Sequence, residues 1–228
     1  MVGAEQREST RLRHKIEFLL PALLGAGRQL ITHPRVAELY PEYLITMHGV
    51  VRASVPLMER ARERALALGR GDRVAVATAG YLDGHIPEEL DHDEWLLEDL
   101  QVLGYDRADV LNRVPAPTVA GLVGAQYYWI EHYHPVALLG YIALLEGYPP
   151  DPADITALVA RTGHHPDAFR TVLAHAELDP GHRDELDELL DTLPLTDAQR
   201  TALGLSALHS VRALAEALDE IVARGPVQ

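Results

Sequence analysis

Histidines and carboxylates are the residues of this 228-residue chain whose number and spacing point to chemistry. The sequence contains 12 His and no Cys, so disulfides, thiolate metal sites and a cysteine nucleophile are excluded. Imidazoles and carboxylates remain as the strong metal ligands, and a borderline metal such as iron, manganese or zinc accepts both. The first question is therefore which of these side chains come together in the folded protein.

A first candidate cluster is the Glu89-x-x-His92 unit. Residues three apart on a helix project from one face, and inward-facing Glu-x-x-His units build metal sites in helical bundles. Glu88 and His85, which precede His92 by four and seven residues, are alternative ligands. A solvated acidic helix start is the simpler interpretation, because four acidic residues lie between positions 88 and 93.

A second candidate cluster consists of His175, Asp179 and His182. Offsets of four and seven residues bring the three side chains onto one stripe of a helix. The complication is Pro180, which either kinks the helix or begins a new one that Asp179 caps. A polar helix face without a metal is the alternative interpretation.

A third candidate is Glu146, which follows an apolar helix face. It lies either at the edge of the surface or against a bound group. Its competitor is Glu131, earlier on the same predicted helix and flanked by Trp129 and His132. These neighbours predict that Glu131 is buried, and a buried carboxylate needs a partner.

Helical periodicity runs through the whole chain, and no strand-like alternation bounded by turns appears. The sequence therefore predicts one all-α domain over residues 1–228, a bundle of about seven helices with short connections. The predicted helices cover approximately residues 10–31, 41–68, 72–103, 106–111, 118–146, 153–161, 166–193 and 197–224, with an interruption near 83–87.

The balance of charge excludes several classes of partner. Lys and Arg number 20 against 34 Asp and Glu, a formal net charge of -14, which repels nucleic acid and anionic membranes. The first residues have no apolar signal-peptide core, and the longest apolar stretch, residues 135–145, is too short to cross a bilayer. We therefore expect a cytoplasmic protein that binds neither nucleic acid nor membrane.

Taken in order, Glu89-x-x-His92, Glu146 and His175-x-x-x-Asp179-x-x-His182 resemble the haem-oxygenase-like diiron oxidase and oxygenase family. This family shares its seven-helix fold with haem oxygenase, the thiaminase-type enzymes and the oxidase that makes pyrroloquinoline quinone. The resemblance covers about residues 41–193. It implies a single-domain seven-helix bundle in which those six residues are the metal ligands and Glu146 bridges the two ions.

The resemblance also implies an activity. Two iron ions per chain would activate dioxygen, the co-substrate, to oxidise a small molecule such as an amino acid or a fatty acid. The expected reactions are amine N-oxygenation, or C–H abstraction followed by desaturation or C–C cleavage. An external electron donor and a homodimer are further expectations.

Three alternatives stay open at this point. The chain could be a metal-free relative that acts as a cofactorless oxidase, although the thiaminase-type route would need the cysteine that this chain lacks. It could be a haem-binding or ligand-binding protein in which His14 or His48 is the axial ligand. It could also be a structural helical protein with no site.

Overall fold

The protein is described by a computed structural model over residues 6–225. That range contains eleven α-helices, two short 3₁₀ turns and no β-strand, which confirms the predicted all-α class. The helices are α1 (Glu8–Thr32), α2 (Val36–Val51), α3 (Ser54–Leu68), α4 (Arg73–Glu89), α5 (His92–Val102), α6 (Arg107–Asn112), α7 (Pro117–His132), α8 (Leu138–Leu145), α9 (Pro152–Thr162), α10 (Arg170–Thr192) and α11 (Asp197–Arg224).

Three of the predicted helical segments are broken, at residues 52–53, 90–91 and 133–134. The interruption predicted near residues 83–87 is wrong, because α4 continues through Gly84 and Pro87. At the second break Asp91 adopts a left-handed backbone with φ of 67°, a conformation that ends regular helix and that Asp tolerates better than most residues. At the third, Pro135 forces the preceding residue His134 into an extended conformation. The two interruptions turn the chain sharply beside the candidate ligands.

The proline at position 180 does not divide its helix. The segment from Arg170 to Thr192 is one helix that contains Pro180. Asp179 therefore lies inside α10 and does not cap a new helix, and its carboxylate is free for another role.

The core is organised around α11, which packs along α1, α7 and α8. A capping box at Thr196 and Gln199 begins this helix by satisfying its first amide groups. Gly140 of α8 makes the close approach to α11 possible, because a Cβ at this position would lie 2.3 Å from the carbonyl oxygen of Leu203. A second apolar cluster packs α5 against α2.

One buried arginine joins the elements that carry the candidate site. Arg13 of α1 is 5% exposed. Its Nη1 donates to the carbonyl oxygen of Ala143 in α8 at 2.6 Å, and its Nη2 donates to Asp187 of α10 at 2.8 Å. Gly147 leaves room for the guanidinium, since a Cβ there would lie 2.0 Å from Nη1. Arg13 thereby connects the end of α8 to the middle of α10.

None of the helices in residues 6–225 combines the length and the hydropathy that crossing a bilayer requires.

Candidate metal centre

Two groups of histidine and carboxylate side chains converge inside the bundle, and both contain Glu89. In each group, one potential ligand atom per residue lies within 4.8 Å of every other. The His85 group consists of His85, Glu89, Glu146 and His182; the His92 group consists of Glu89, His92 and His175. Five of the six residues predicted from the sequence are thus brought together, and His85, an alternative ligand, joins them.

The His85 group is buried at all four positions and is linked by short contacts. His85 Nε2 lies 3.0 Å from Glu146 Oε1. His182 Nδ1 lies 3.5 Å from Glu89 Oε1 and 3.8 Å from Glu146 Oε2. Two helices, α4 and α10, and the residue that ends α8 supply these side chains, so the group exists only when α4, α8 and α10 are packed together.

The His92 group lies on the other side of Glu89. His92 Nδ1 is 3.2 Å from Glu89 Oε2, and the imidazoles of His92 and His175 meet edge to face with centroids 4.9 Å apart. His175 Nδ1 lies 2.8 Å from the carbonyl oxygen of Thr171. That contact requires the proton on Nδ1 and leaves Nε2 with a lone pair for a metal ion.

A buried carboxylate holds the Thr171 backbone that orients His175. Asp99 of α5 accepts a hydrogen bond from the Thr171 amide at 3.0 Å and is completely buried. Its Oδ1 lies 3.5 Å from Arg170 Nε. The chain of contacts therefore runs from α5 through the start of α10 to the imidazole.

Several of these polar atoms have no hydrogen-bond partner among residues 6–225. They are His92 Nδ1, Glu146 Oε2, Asp179 Oδ1 and His182 Nδ1. Buried polar atoms are normally paired, because desolvating an unpaired one costs roughly 1–3 kcal/mol. A cation site requires several buried ligand atoms that have no other partner, and these four atoms lie close together. The combination of imidazole and carboxylate ligands suits iron. The residues present therefore fit a metal centre.

Asp179 is the predicted ligand that joins neither group, although it faces the same space. Its side chain is 3% exposed, and it lines one cavity together with Glu89, Glu146 and His175. Burial and the charges of Glu146 and Glu89 raise the pKa of Asp179 to about 8. The carboxylate thus lies close to the shared residue but outside the 4.8 Å limit of both groups.

The carboxylates of the centre respond differently to their surroundings. Burial raises the pKa of Glu146, and the hydrogen bond from His85 only partly opposes this effect. Burial also acts to raise the pKa of Glu89, but its contact with His92 and the neighbouring imidazoles lower it overall. For His85 the contacts with Glu146 outweigh burial and raise its pKa to about 9. Without a metal, the contact with Glu146 therefore favours the protonated imidazole of His85.

The other two alternative ligands belong to neither group. Glu88 lies at the rim with its side chain 47% exposed, and its Oε2 is 3.4 Å from His85 Nδ1 and 3.7 Å from His182 Nε2. Glu131 was predicted to be buried, and this is wrong: its carboxylate pairs with Arg60 of α3 on the outside of the bundle. The aromatic and imidazole neighbours in the sequence suggested burial, but Tyr128, His132 and Tyr133 are themselves exposed.

The Glu89-x-x-His92 unit reaches the centre by a route that its spacing did not predict. Glu89 is the last residue of α4 and His92 the first of α5, with the left-handed Asp91 between them. The two side chains converge because the chain turns, not because they share a helix face. A signal for His85 was present in the sequence: His85 and Glu89 are four apart on α4 and do share a face.

An apolar cavity of about 220 Å³ opens beside the centre. Its walls come mainly from α2, α8, α10 and α11, and its lining includes no lysine or arginine. The aliphatic and aromatic residues that line it are Leu23, Tyr43, Met47, Val51, Met58, Leu96, Tyr141, Leu144, Leu145, Tyr148, Pro150, Val172, Leu214 and Leu218. The aromatic part of this wall is formed by Tyr43, Tyr141 and Tyr148.

The two histidines considered as haem ligands lie elsewhere. His14 is on the exposed face of α1, where its Nδ1 contacts the side chain of Gln6. His48 is buried on α2 and lines a different cavity, on the far side of that helix from the centre. Neither faces the converging ligands.

Comparison with known proteins gives a family and a fold. A family model described as iron-containing redox enzyme matches residues 79–217, which is more than half of the chain and contains every residue of both groups. No curated protein matches the sequence.

Among the solved structures that resemble the chain are three with 20% sequence identity or less. A domain of unknown function with a haem oxygenase-like fold from Shewanella denitrificans has a TM-score of 0.79 and 20% identity, covering 94% of this chain and 92% of that one. A TenA homologue from Pseudomonas syringae has a TM-score of 0.70 and 13% identity, covering 94% and 92%. A CADD-like protein of unknown function from Nostoc punctiforme has a TM-score of 0.68 and 16% identity, covering 96% and 100%. These likenesses establish the haem oxygenase-like fold.

Proposed function

Since the chain belongs to the iron-containing redox enzyme family, we propose that it is a non-haem diiron enzyme that uses dioxygen to oxidise a small molecule. The observation that supports this proposal best is the position of Glu89 in two ligand groups at once. A carboxylate has two oxygens and can bind one ion through each, as in the carboxylate-bridged metal pairs of helical bundles.

We assign one ion to each group. The first would be held by His85, Glu146 and His182, and the second by His92 and His175, with Glu89 between them. This assignment moves the bridging role, which the family resemblance gave to Glu146, to Glu89. We propose Asp179 as an additional ligand, because its unpartnered Oδ1 is buried in the same cavity wall.

When bound, an iron pair would supply the redox chemistry that activates dioxygen. The chain's own residues orient the centre and control its protons. The Thr171 carbonyl fixes the His175 tautomer. Asp179, with a pKa of about 8, holds a proton near neutrality and must release it when it binds a cation.

The cavity favours a substrate with an apolar body. Aliphatic and aromatic side chains form most of the wall, and the only charged residues there are the carboxylates and His175 of the centre. A polar group of the substrate would therefore lie at the metal end and the apolar part among Met47, Val51 and Leu96. A fatty acid or another aliphatic molecule fits this polarity better than an amino acid, whose second charged group would find no partner.

The proposal is tested by loading the purified chain with ferrous iron under anaerobic conditions and then admitting oxygen. We expect about two iron ions per chain, rapid oxygen consumption and no Soret band. A His182→Gln variant removes one member of the His85 group and is expected to lose about one ion. A His132→Gln variant changes an exposed histidine outside the centre and serves as the matched control.

Two results would contradict the proposal. Absence of iron uptake by the folded wild-type protein would favour a metal-free member of the fold. Iron uptake that the His182→Gln and His132→Gln variants reduce equally would mean that the converging side chains are not the ligands. A homodimer, a cytoplasmic location and an external electron donor stay predictions.

A further inference from the structure

A second cavity, the α2–α11 cavity, lies on a different face of α2 from the candidate metal centre. Its volume is about 580 Å³, and its walls come from α2, the segment that joins α6 to α7, α7 itself and the end of α11. Met47 and Val51 line the cavity beside the centre, whereas His48 and Arg52 line this one. No member of the His85 group or the His92 group contributes to its wall.

The charged side chains in this wall are three arginines and two glutamates. Arg113 donates to the two carboxylate oxygens of Glu42 at 3.1 and 2.5 Å. Arg224 donates to Glu220 at 2.9 Å. The third arginine, Arg52, is exposed and has no ion-pair partner among residues 6–225. The wall therefore carries one positive charge in excess, in a chain whose net charge is -14.

The same wall contains a buried histidine that lacks a partner. His48 is 2% exposed, and its Nε2 has no hydrogen-bond partner among residues 6–225. It precedes Arg52 by four residues and shares a helix face with it. Burial and the charge of Arg52 lower the pKa of His48, so the imidazole is neutral at pH 7 and has one N–H to donate. Because buried polar groups are normally paired, this imidazole is available to a ligand in the cavity.

Most of the remaining wall is apolar. Ile45, Val119 and Val123 line the interior of the cavity. Leu111 and Val114 also line it and are exposed to solvent, Val114 to 87%, so the apolar surface continues from the wall to the opening. A cavity with an apolar lining and a few polar groups at one place suits a small molecule that has both characters.

We propose that the α2–α11 cavity binds a small organic monoanion, such as a carboxylate with an aromatic or aliphatic body. The anionic group would pair with Arg52 and accept a hydrogen bond from His48. The apolar body would lie against Val119 and Val123. This site is separate from the proposed diiron function and does not depend on it.

The polarity of the two cavities separates their ligands. The wall beside the centre contains carboxylates and no lysine or arginine. Without added iron, those carboxylates repel an organic anion. The excess charge of Arg52 attracts the same anion to the α2–α11 cavity. An anionic probe therefore distinguishes the two cavities in the iron-free protein.

The experiment measures the binding of anilinonaphthalene sulfonate, a fluorescent organic monoanion, to the purified protein without added iron. N-phenylnaphthylamine has the same rings without the sulfonate and measures the apolar contribution alone. Arg52→Gln removes the excess charge, and Arg70→Gln, which changes another exposed arginine without an ion-pair partner among residues 6–225, is its control. Val123→Trp fills the α2–α11 cavity, and Val172→Trp fills the cavity beside the centre. Both valines are partly buried.

We expect Arg52→Gln to weaken the binding of the sulfonate by about tenfold or more, because a charge-assisted contact is lost. Binding of N-phenylnaphthylamine to this variant should be unchanged, and Arg70→Gln should bind both probes like wild type. Val123→Trp should abolish sulfonate binding, whereas Val172→Trp should retain it. If Val123→Trp does not fold, the comparison of Arg52→Gln with Arg70→Gln decides.

Three results would overturn the proposal. The first is an equal affinity for the sulfonate in Arg52→Gln and Arg70→Gln. The second is loss of the sulfonate in Val172→Trp but not in Val123→Trp, which would place the probe beside the centre. The third is a wild-type dimer that excludes the probe and that Val123→Trp dissociates, since a second copy of the chain would then cover the cavity.

Discussion

The His85 group and the His92 group share one carboxylate but differ in almost every other respect. The first has four buried members, one of them the residue that ends α8. The second has three members, and one of them, His175, is partly exposed to the apolar cavity. Within the first, His85 and Glu146 already form a hydrogen bond at 3.0 Å. Within the second, the contacts are edge-to-face rings and an imidazole oriented from outside by Thr171.

The difference indicates a division of roles. Four ligands hold an ion more completely than three, so the His85 group is suited to retain its metal. The His92 group leaves more coordination positions open beside the cavity, where dioxygen and substrate would enter. Glu89 is the residue through which the two halves depend on each other.

The largest expected effect follows from replacing that shared residue. We predict that Glu89→Gln lowers the iron content from about two ions per chain to less than about one ion per chain, because both ions lose a ligand. Glu131→Gln is the matched control, since it changes a glutamate whose carboxylate pairs with Arg60 outside the centre. Metal analysis after anaerobic loading gives the answer, and an unchanged iron content in Glu89→Gln would show that the two groups do not share a ligand.

Removing one histidine from either group sharpens the comparison. We predict that His92→Ala and His85→Ala each retain about one ion per chain. A ferrous titration of the wild type should have two phases, of which His92→Ala removes the weaker and His85→Ala the tighter. His165→Ala changes a histidine whose side chain is 66% exposed and should titrate like wild type. If both variants lost the same phase, the division of roles would be wrong.

A smaller effect is expected from replacing Arg13 of α1, which connects the helices that carry the His85 group. We predict that Arg13→Met lowers the free energy of unfolding of the metal-free protein by about 2–3 kcal/mol, because it leaves the Ala143 carbonyl and Asp187 without their charged donor. Arg7→Met is the control, since Arg7 reaches Asp191 of the same helix from an exposed position. Urea unfolding measures both variants. Equal stabilities would mean that water replaces the guanidinium at no cost.

The pH dependence of the metal-free protein tests Asp179, the carboxylate that joins neither group. Asp179 has a pKa of about 8 in the folded protein against a reference value of 3.8. The folded state therefore binds this proton more tightly than the unfolded chain, and the stability that it contributes falls as pH rises through this interval. We predict that wild type loses stability relative to Asp179→Asn between about pH 4 and pH 8. Urea unfolding of both proteins across this range tests the prediction, and parallel curves would contradict it.

Much of the architecture was predictable from local sequence, because helices leave local signals. The final helix was predicted over residues 197–224, and the structure has Asp197–Arg224 with a capping box at Thr196. The breaks were harder. Nothing local requires Asp91 to adopt a left-handed conformation, and the turn there depends on α5 packing against α2.

The residues of the candidate site likewise differ in how far local sequence could predict them. His175, Asp179 and His182 were recognisable because all three lie on one stripe of one helix, and α10 is continuous through Pro180. The choice between Glu146 and Glu131 was not local. Both follow similar patterns in the sequence, but Arg60 of a distant helix pairs with Glu131, whereas His85 lies beside Glu146.

What the sequence determined by itself was therefore the chemistry available: imidazoles and carboxylates without thiols, carried on helices at spacings that can face one way. What only the tertiary structure decided was which of them meet. Glu89 belongs to both groups because the chain turns at Asp91. It also does so because α8 and α10, which Arg13 connects, pack beside it. Spacing along a helix fixes an angle around its axis, but the distance between side chains on different helices depends on how those helices pack.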